Sequence, residues 1–197
     1  MPDQAPRRAA TSPEHALELL IEGNRRWVEG NLAHPNDSIE RRAQLTGGQA
    51  PFATVFSCID SRVPAELVFD CGLGDLAVVR TGAHVLDEGA VLASLLFAAG
   101  QLGTPLVLVL GHQRCGAVTA ARGALELDAS PDPGLEAVVE LLRPAYDATR
   151  DSGVEEMVRA HTRLTAEKLT ASLPPSPSLR VVGGYYSLDT GAVSILD

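Results

Sequence analysis

Four short apolar runs constrain this chain more than any other feature of its sequence. Residues 53–57 (ATVFS), 76–80 (LAVVR), 106–110 (LVLVL) and 179–185 (LRVVGGY) are rich in β-branched residues and too short for helices. They do not alternate. A strand with one wet face alternates apolar and polar residues, whereas a strand covered on both faces stays apolar throughout, as in a parallel sheet. Parallel strands need crossovers, and helical stretches lie between or beside the runs at 88–102, 117–127, 135–146 and 154–173. A fifth run, 193–196, follows the turn residues Asp189, Thr190 and Gly191 and reads as an antiparallel edge strand. The expected fold is α/β: a central sheet of four parallel strands plus that edge strand, flanked by helices.

An N-terminal helical arm precedes the sheet. Ser12-Pro13 offers an N-cap followed by proline at the first helical position, and Leu17, Leu20, Ile21, Asn24 and Trp27 recur at helical spacing over 13–30. A shorter helix is expected over 38–45. Residues 1–12 read as a disordered tail and 13–197 as a single domain, since 197 residues leave little room for a second. The proline-rich stretches 130–134 and 174–178 are loops, because neither has a flank long enough to fold alone. A four-stranded domain does not obviously cover the arm's apolar stripe, which predicts a homodimer or a dimer-based higher oligomer.

Composition narrows the function. Hydrophobic residues make up 45% and charged residues 21%, so the chain folds rather than staying disordered. Sixteen Lys and Arg against 25 Asp and Glu give a net charge of -9, which repels phosphate backbones and anionic lipid and excludes nucleic acid as a partner. The longest apolar stretch, 90–100, is about half of the roughly 20 residues that a membrane span needs. The first residues lack the apolar run of a secretory signal, so a cytoplasmic location is expected. Three cysteines, Cys58, Cys71 and Cys115, are an odd count without small-scaffold spacing. That argues against a disulfide framework and toward metal binding or catalysis.

In open α/β sheets the functional crevice lies at the carboxyl ends of the strands. The first strand runs into Cys58-Ile59-Asp60-Ser61-Arg62 and the third into Gly111-His112-Gln113-Arg114-Cys115-Gly116, which places Cys58, Asp60, His112 and Cys115 at one edge. Two thiolates and an imidazole suit zinc, and three protein ligands leave a fourth position open, as in catalytic rather than structural sites. Two other readings stay open from the residues alone. His112 and Cys115 suit a loop with a buried thiol and a hydrogen-bonded ring, or a Cys–His pair for nucleophilic catalysis with Asp60 orienting the imidazole. The nucleophile reading leaves one cysteine unused.

The two motifs together resemble the β-class carbonic anhydrases, through that family's Cys-x-Asp-Ser-Arg and Gly-His-x-x-Cys-Gly signatures. The segments 22–27 (EGNRRW), Gly74-Asp75, Val78-Val79-Arg80 and 182–186 (VGGYY) are similar to further landmarks, so that the resemblance covers about 14–196. It implies a zinc lyase that hydrates carbon dioxide reversibly to bicarbonate and a proton, with one Zn²⁺ per chain on Cys58, His112 and Cys115. Zinc hydroxide would be the nucleophile, oriented by an Asp60–Arg62 dyad. The family also has a closed form in which the aspartate displaces the water, making Asp60 a conditional fourth ligand. The resemblance further implies a homodimer with the cleft at the subunit boundary, and Gln49, Ala77, Phe97 and Gly116 beside the substrate.

Two departures touch the apolar wall. Ala77 stands where the family usually has an aromatic, and Leu96-Phe97 where it often has Glu-Tyr, which leaves open a hydrolase of carbonyl sulfide or carbon disulfide. A third reading is a non-catalytic, zinc-stabilised interaction module. Val55 replaces the tryptophan that accompanies a noncatalytic bicarbonate site, and no such site is expected. Cys71 reads as a buried small hydrophobe. His15, His34, His84 and His161 read as surface or capping residues, with His84 the one placed to relay protons.

Overall fold

Ser12 starts the first helix as its sequence demands: its side chain accepts from the His15 N–H at 3.2 Å, and Pro13 follows. Helix α1 (Pro13–Glu29) ends at Gly30, whose φ of 70° suits glycine at a helix C-cap. The computed structural model describes residues 10, 12–128, 130–131 and 133–196. Most of the expected tail, 1–12, therefore lies outside the described residues. Ser38 caps α2 (Ile39–Gln44) in the same way, and a 3-10 turn, Leu45–Gly47, follows.

The strands are β1 (Ala53–Cys58), β2 (Leu76–Thr81), β3 (Leu106–His112), β4 (Arg180–Tyr186) and β5 (Val193–Leu196), in the order β2-β1-β3-β4-β5. The first four are parallel and β5 runs antiparallel to β4, as the pattern predicts. Every residue of β1 and β3 is buried, which is why their runs are unbroken. Edge strand β2 is half-buried along its whole length. The crossovers are α3 (Ala65–Val68), α4 (Ala90–Gly100), α5 (Gly116–Glu126), α6 (Glu136–Ala148) and α7 (Val154–Ser172). No helix among the described residues is long and apolar enough to cross a membrane.

The chain itself covers the centre of the apolar stripe of α1, at Leu20 and Asn24, whereas Leu17 and Trp27 are half-buried and Ile21 stays 38% exposed, so only part of the stripe behind the dimer expectation is left uncovered. Ala16 and Leu20 are fully buried against Phe52, Val55 and Leu108. Gly23 lies so close to α3 that a Cβ there would stand 1.9 Å from the Phe69 carbonyl oxygen. Asn24 donates to the carbonyls of Val68 and Gly191 and accepts from the Val193 N–H, tying α1 to α3 and to β5. The opposite sheet face packs on α4 and α7 through Phe56, Leu95, Val107, Val109 and Leu169. Apolar surface also remains on α4, where Phe97 is 56% exposed.

Candidate metal centre

Strands β1 and β3 are neighbours in register Ser57 to Leu110, so their carboxyl ends lie side by side. Cys58 is the last residue of β1, His112 the last of β3, and Cys115 immediately precedes α5. All three are buried, and their ligand atoms lie within 4.8 Å of one another. The two sulfurs are 3.9 Å apart, and a tetrahedral ion with metal–sulfur bonds of about 2.3 Å sets its sulfurs about 3.8 Å apart.

The imidazole is oriented to match. His112 Nδ1 lies 2.9 Å from the Gln113 carbonyl oxygen, to which it can only donate, so the lone pair is on Nε2. Among the described residues Nε2 is buried without a hydrogen-bond partner, a costly arrangement unless a ligand satisfies it. The sulfurs also ask for a cation. Backbone N–H groups of Asp60 and Ala83 point at Cys58, and those of Val118 and Ala117, at the start of α5, point at Cys115. The Cys115 thiol above all, with His112, holds the Cys58 thiol down at about 4 despite burial, and Cys115 is pushed up in turn. Burial opposes protonation of His112, but the Cys58 sulfur, the Gln113 carbonyl and Asp60 outweigh it and hold the ring above its ordinary value. The donor set and its spacing fit zinc.

Asp60 stands at the mouth, with Oδ2 3.9 Å from His112 Nε2. Arg62 grips it with two parallel bonds, Nε to Oδ1 at 2.9 Å and Nη2 to Oδ2 at 2.7 Å, and adds its backbone N–H to Oδ1. This pairing keeps the carboxyl well below the usual carboxylate range. The same guanidinium reaches the Arg114 carbonyl at 3.2 Å, joining the two ligand loops.

Two supporting roles are not legible in the sequence, where Arg80 figures only within a landmark segment and Glu155 not at all. Arg80, at the end of β2, donates to the carbonyls of Cys58 at 2.7 Å and Asp60 at 2.6 Å, fixing the loop between ligand and carboxylate. Its signal was a charge closing a buried run at the same sheet edge. Glu155 on α7 accepts from the Arg114 N–H at 2.9 Å and from the Tyr185 hydroxyl, holding the second loop where Arg114 has a φ of 52°.

The chain does not bring every expected substrate neighbour to the cluster. Gly116 adjoins Cys115, with nothing within 4 Å of where a Cβ would stand. Gln49 is exposed ahead of β1, and Ala77 pairs with Thr54, four residues or about 13 Å down the strand from Cys58. Phe97 lies on the outer face of α4. Val55 is buried under α1. Half-buried Cys71 packs against the same core and donates to the Phe69 carbonyl, away from the cluster. Two histidines contradict the surface reading: His84 and His161 are 1% and 4% exposed, and burial drives both toward the neutral form. A proton relay through buried, neutral His84 finds no support.

Residues 53–193 match the family model described as carbonic anhydrase. The chain is 42% identical over 196 residues to carbonic anhydrase 2 of Mycobacterium tuberculosis, covering 95% of this chain and 94% of that protein. It is 41% identical over 194 residues to the carbonic anhydrase of Mycolicibacterium smegmatis, covering 94% of each. Among solved structures, a β-carbonic anhydrase of Aspergillus fumigatus superposes with a TM-score of 0.67 at 25% identity, over 92% of this chain and 90% of that one. With the two ligand loops, the sheet order and these likenesses in agreement, the chain belongs to the β-carbonic anhydrase family.

Proposed function

We propose that this enzyme hydrates carbon dioxide reversibly to bicarbonate and a proton, with one zinc ion per chain on Cys58, His112 and Cys115. The observation that carries the reading is the pair of close thiols facing an unpartnered imidazole nitrogen, beside a carboxylate that Arg62 keeps ionised. Zinc, when bound there, supplies the Lewis acidity that makes water nucleophilic near neutral pH. The chain's own residues do the rest. Asp60 accepts a hydrogen bond from the attacking water and aims its lone pair at carbon. Arg62 occupies both carboxylate oxygens, which favours the use of Asp60 as an orienting group over its use as a fourth ligand. Gly116 leaves the space beside Cys115 open for the substrate.

A homodimer is the assembly this reading expects, with Gln49, Ala77 and Phe97, each lying away from the cluster of its own chain, facing the cleft of a second copy. Strand β2 offers a half-buried apolar edge, and α4 is apolar on its exposed side as well. A reducing cytoplasm suits two thiolate ligands. Zinc analysis combined with assays of carbon dioxide hydration and carbonyl sulfide hydrolysis on one preparation tests the reading. About one zinc per chain and preferred turnover of carbon dioxide are expected. Faster turnover of the sulfur analogue would reassign the substrate, and a zinc-replete protein inactive up to about pH 9 would make the site structural.

A further inference from the structure

Three buried polar residues have no part in the reaction as derived so far. His84 closes the turn Gly82–His84 that follows β2, and His161 and Thr162 face that turn from α7. His161 Nε2 lies 3.1 Å from the Ala83 carbonyl oxygen, so it carries a proton and donates. Thr162 gives its own proton to the Val158 carbonyl at 2.8 Å, so in its 3.2 Å contact with His84 Nε2 the imidazole is the donor. Both rings are thereby fixed, 4.6 Å apart.

The turn that they grip is strained. Ala83 and His84 have φ of 51° and 46°, two successive left-handed residues that are not glycine. Such a backbone persists only where its surroundings impose it. Here the clamp imposes it, with help from the Thr81 hydroxyl on the Val85 carbonyl at 3.0 Å. The conformation packs Ala83 beside Cys58 in one buried cluster, two residues beyond Thr81, the strand partner of Cys58, with its N–H turned toward the sulfur. Gly111 admits the clamp directly behind the ligand strand: a Cβ there would stand 2.3 Å from Thr162 Oγ1 and 3.4 Å from His84 Cε1.

We propose that His161 and Thr162 are positioning residues for the metal centre, holding the Ala83 N–H on the Cys58 sulfur and so setting how much charge that sulfur gives to the metal. The proposal rests on the metal-site reading above. A hydrogen bond to a ligating thiolate draws charge from it. Without that bond the sulfur donates more, and the water on the metal is less acidic.

The test uses the full chain loaded with zinc or with cobalt. His161→Leu removes the donor. It is expected to weaken zinc binding roughly tenfold, to displace the sulfur-to-cobalt charge-transfer band and to move the pH–rate midpoint upward. His161→Gln, whose amide nitrogen reaches about as far as Nε2, should restore all three. Thr162→Val is nearly isosteric and should shift the same readouts in the same direction, which keeps the test decisive if His161→Leu does not fold; Thr162→Ser should not shift them. A folded His161→Leu or Thr162→Val protein that loses thermal stability but keeps the wild-type band and zinc affinity would overturn the proposal, leaving only structural support. A wild-type protein with no cobalt–thiolate band would sink the metal-site reading instead.

Discussion

On the proposed mechanism two demands meet at Asp60: the carboxylate has to stay ionised beside two sulfurs, and it has to stay off the metal. The Arg62 fork meets both, because it holds each carboxylate oxygen. Replacing Asp60 with Asn should leave zinc content unchanged and lower hydration roughly 100-fold or more. A zinc-replete Asp60→Asn enzyme with near wild-type rates would remove Asp60 from the reaction. At this scale Cys58, Asp60, Arg62, His112 and Cys115 were legible because their side chains act on one another, and their types and spacing are written in the sequence. Arg80 was not, since it acts on two backbone carbonyls 20 and 22 residues away, and carbonyls carry no letter. His84 and His161 were misread for a related reason. A single histidine announces neither its burial nor its partner.

The arm shows what an element needs beyond its own pattern. Spacing placed α1 almost to the residue, yet gave no hint of what its stripe would meet; the answer is β1, β3 and α3 of the same chain. Asn24 sits on that stripe because three backbone groups there need partners. Asn24→Leu keeps the size and strands all three, so it should cost about 2–4 kcal/mol, read as a lower midpoint in urea. A loss under about 0.5 kcal/mol would show that water replaces the side chain. The strands were legible because strands covered on both faces must be apolar throughout, and the alternation of a half-wet sheet was missing. Helix α3 was not, because four residues span barely one turn and cannot display a period.

Across the whole molecule, the exposed side of α4 and the apolar edge of β2 set the expectation for assembly. Sedimentation at micromolar concentration should show a dimer of the 20.7 kDa chain; a monomer alone would leave Gln49, Ala77 and Phe97 without a cleft to line. Acid should loosen the fold through its buried histidines. Burial, against the Ala83 and His84 backbone, lowers His161 from 6.5 to about 4. The unfolded chain takes its proton near 6.5 and the folded chain only near 4, so stability falls as pH falls between those values. Urea melts at pH 5 should show about 2 kcal/mol less stability than at pH 7.5 from this group alone, with His84 acting in the same direction. A slope unchanged in His161→Gln would put the effect elsewhere. The distance along the chain between the ligands has a kinetic consequence. Cys58 and Cys115 are 57 residues apart, with β2 and α4 between them, and closing such a segment costs on the order of 3–4 kcal/mol in chain entropy. On the proposed reading the ligands come together only where β1 pairs with β3, so zinc is expected to bind after the folding barrier is crossed. Refolding rates should therefore be indifferent to zinc, while unfolding slows as zinc rises; folding accelerated by zinc would mean that the two loops meet before the sheet does.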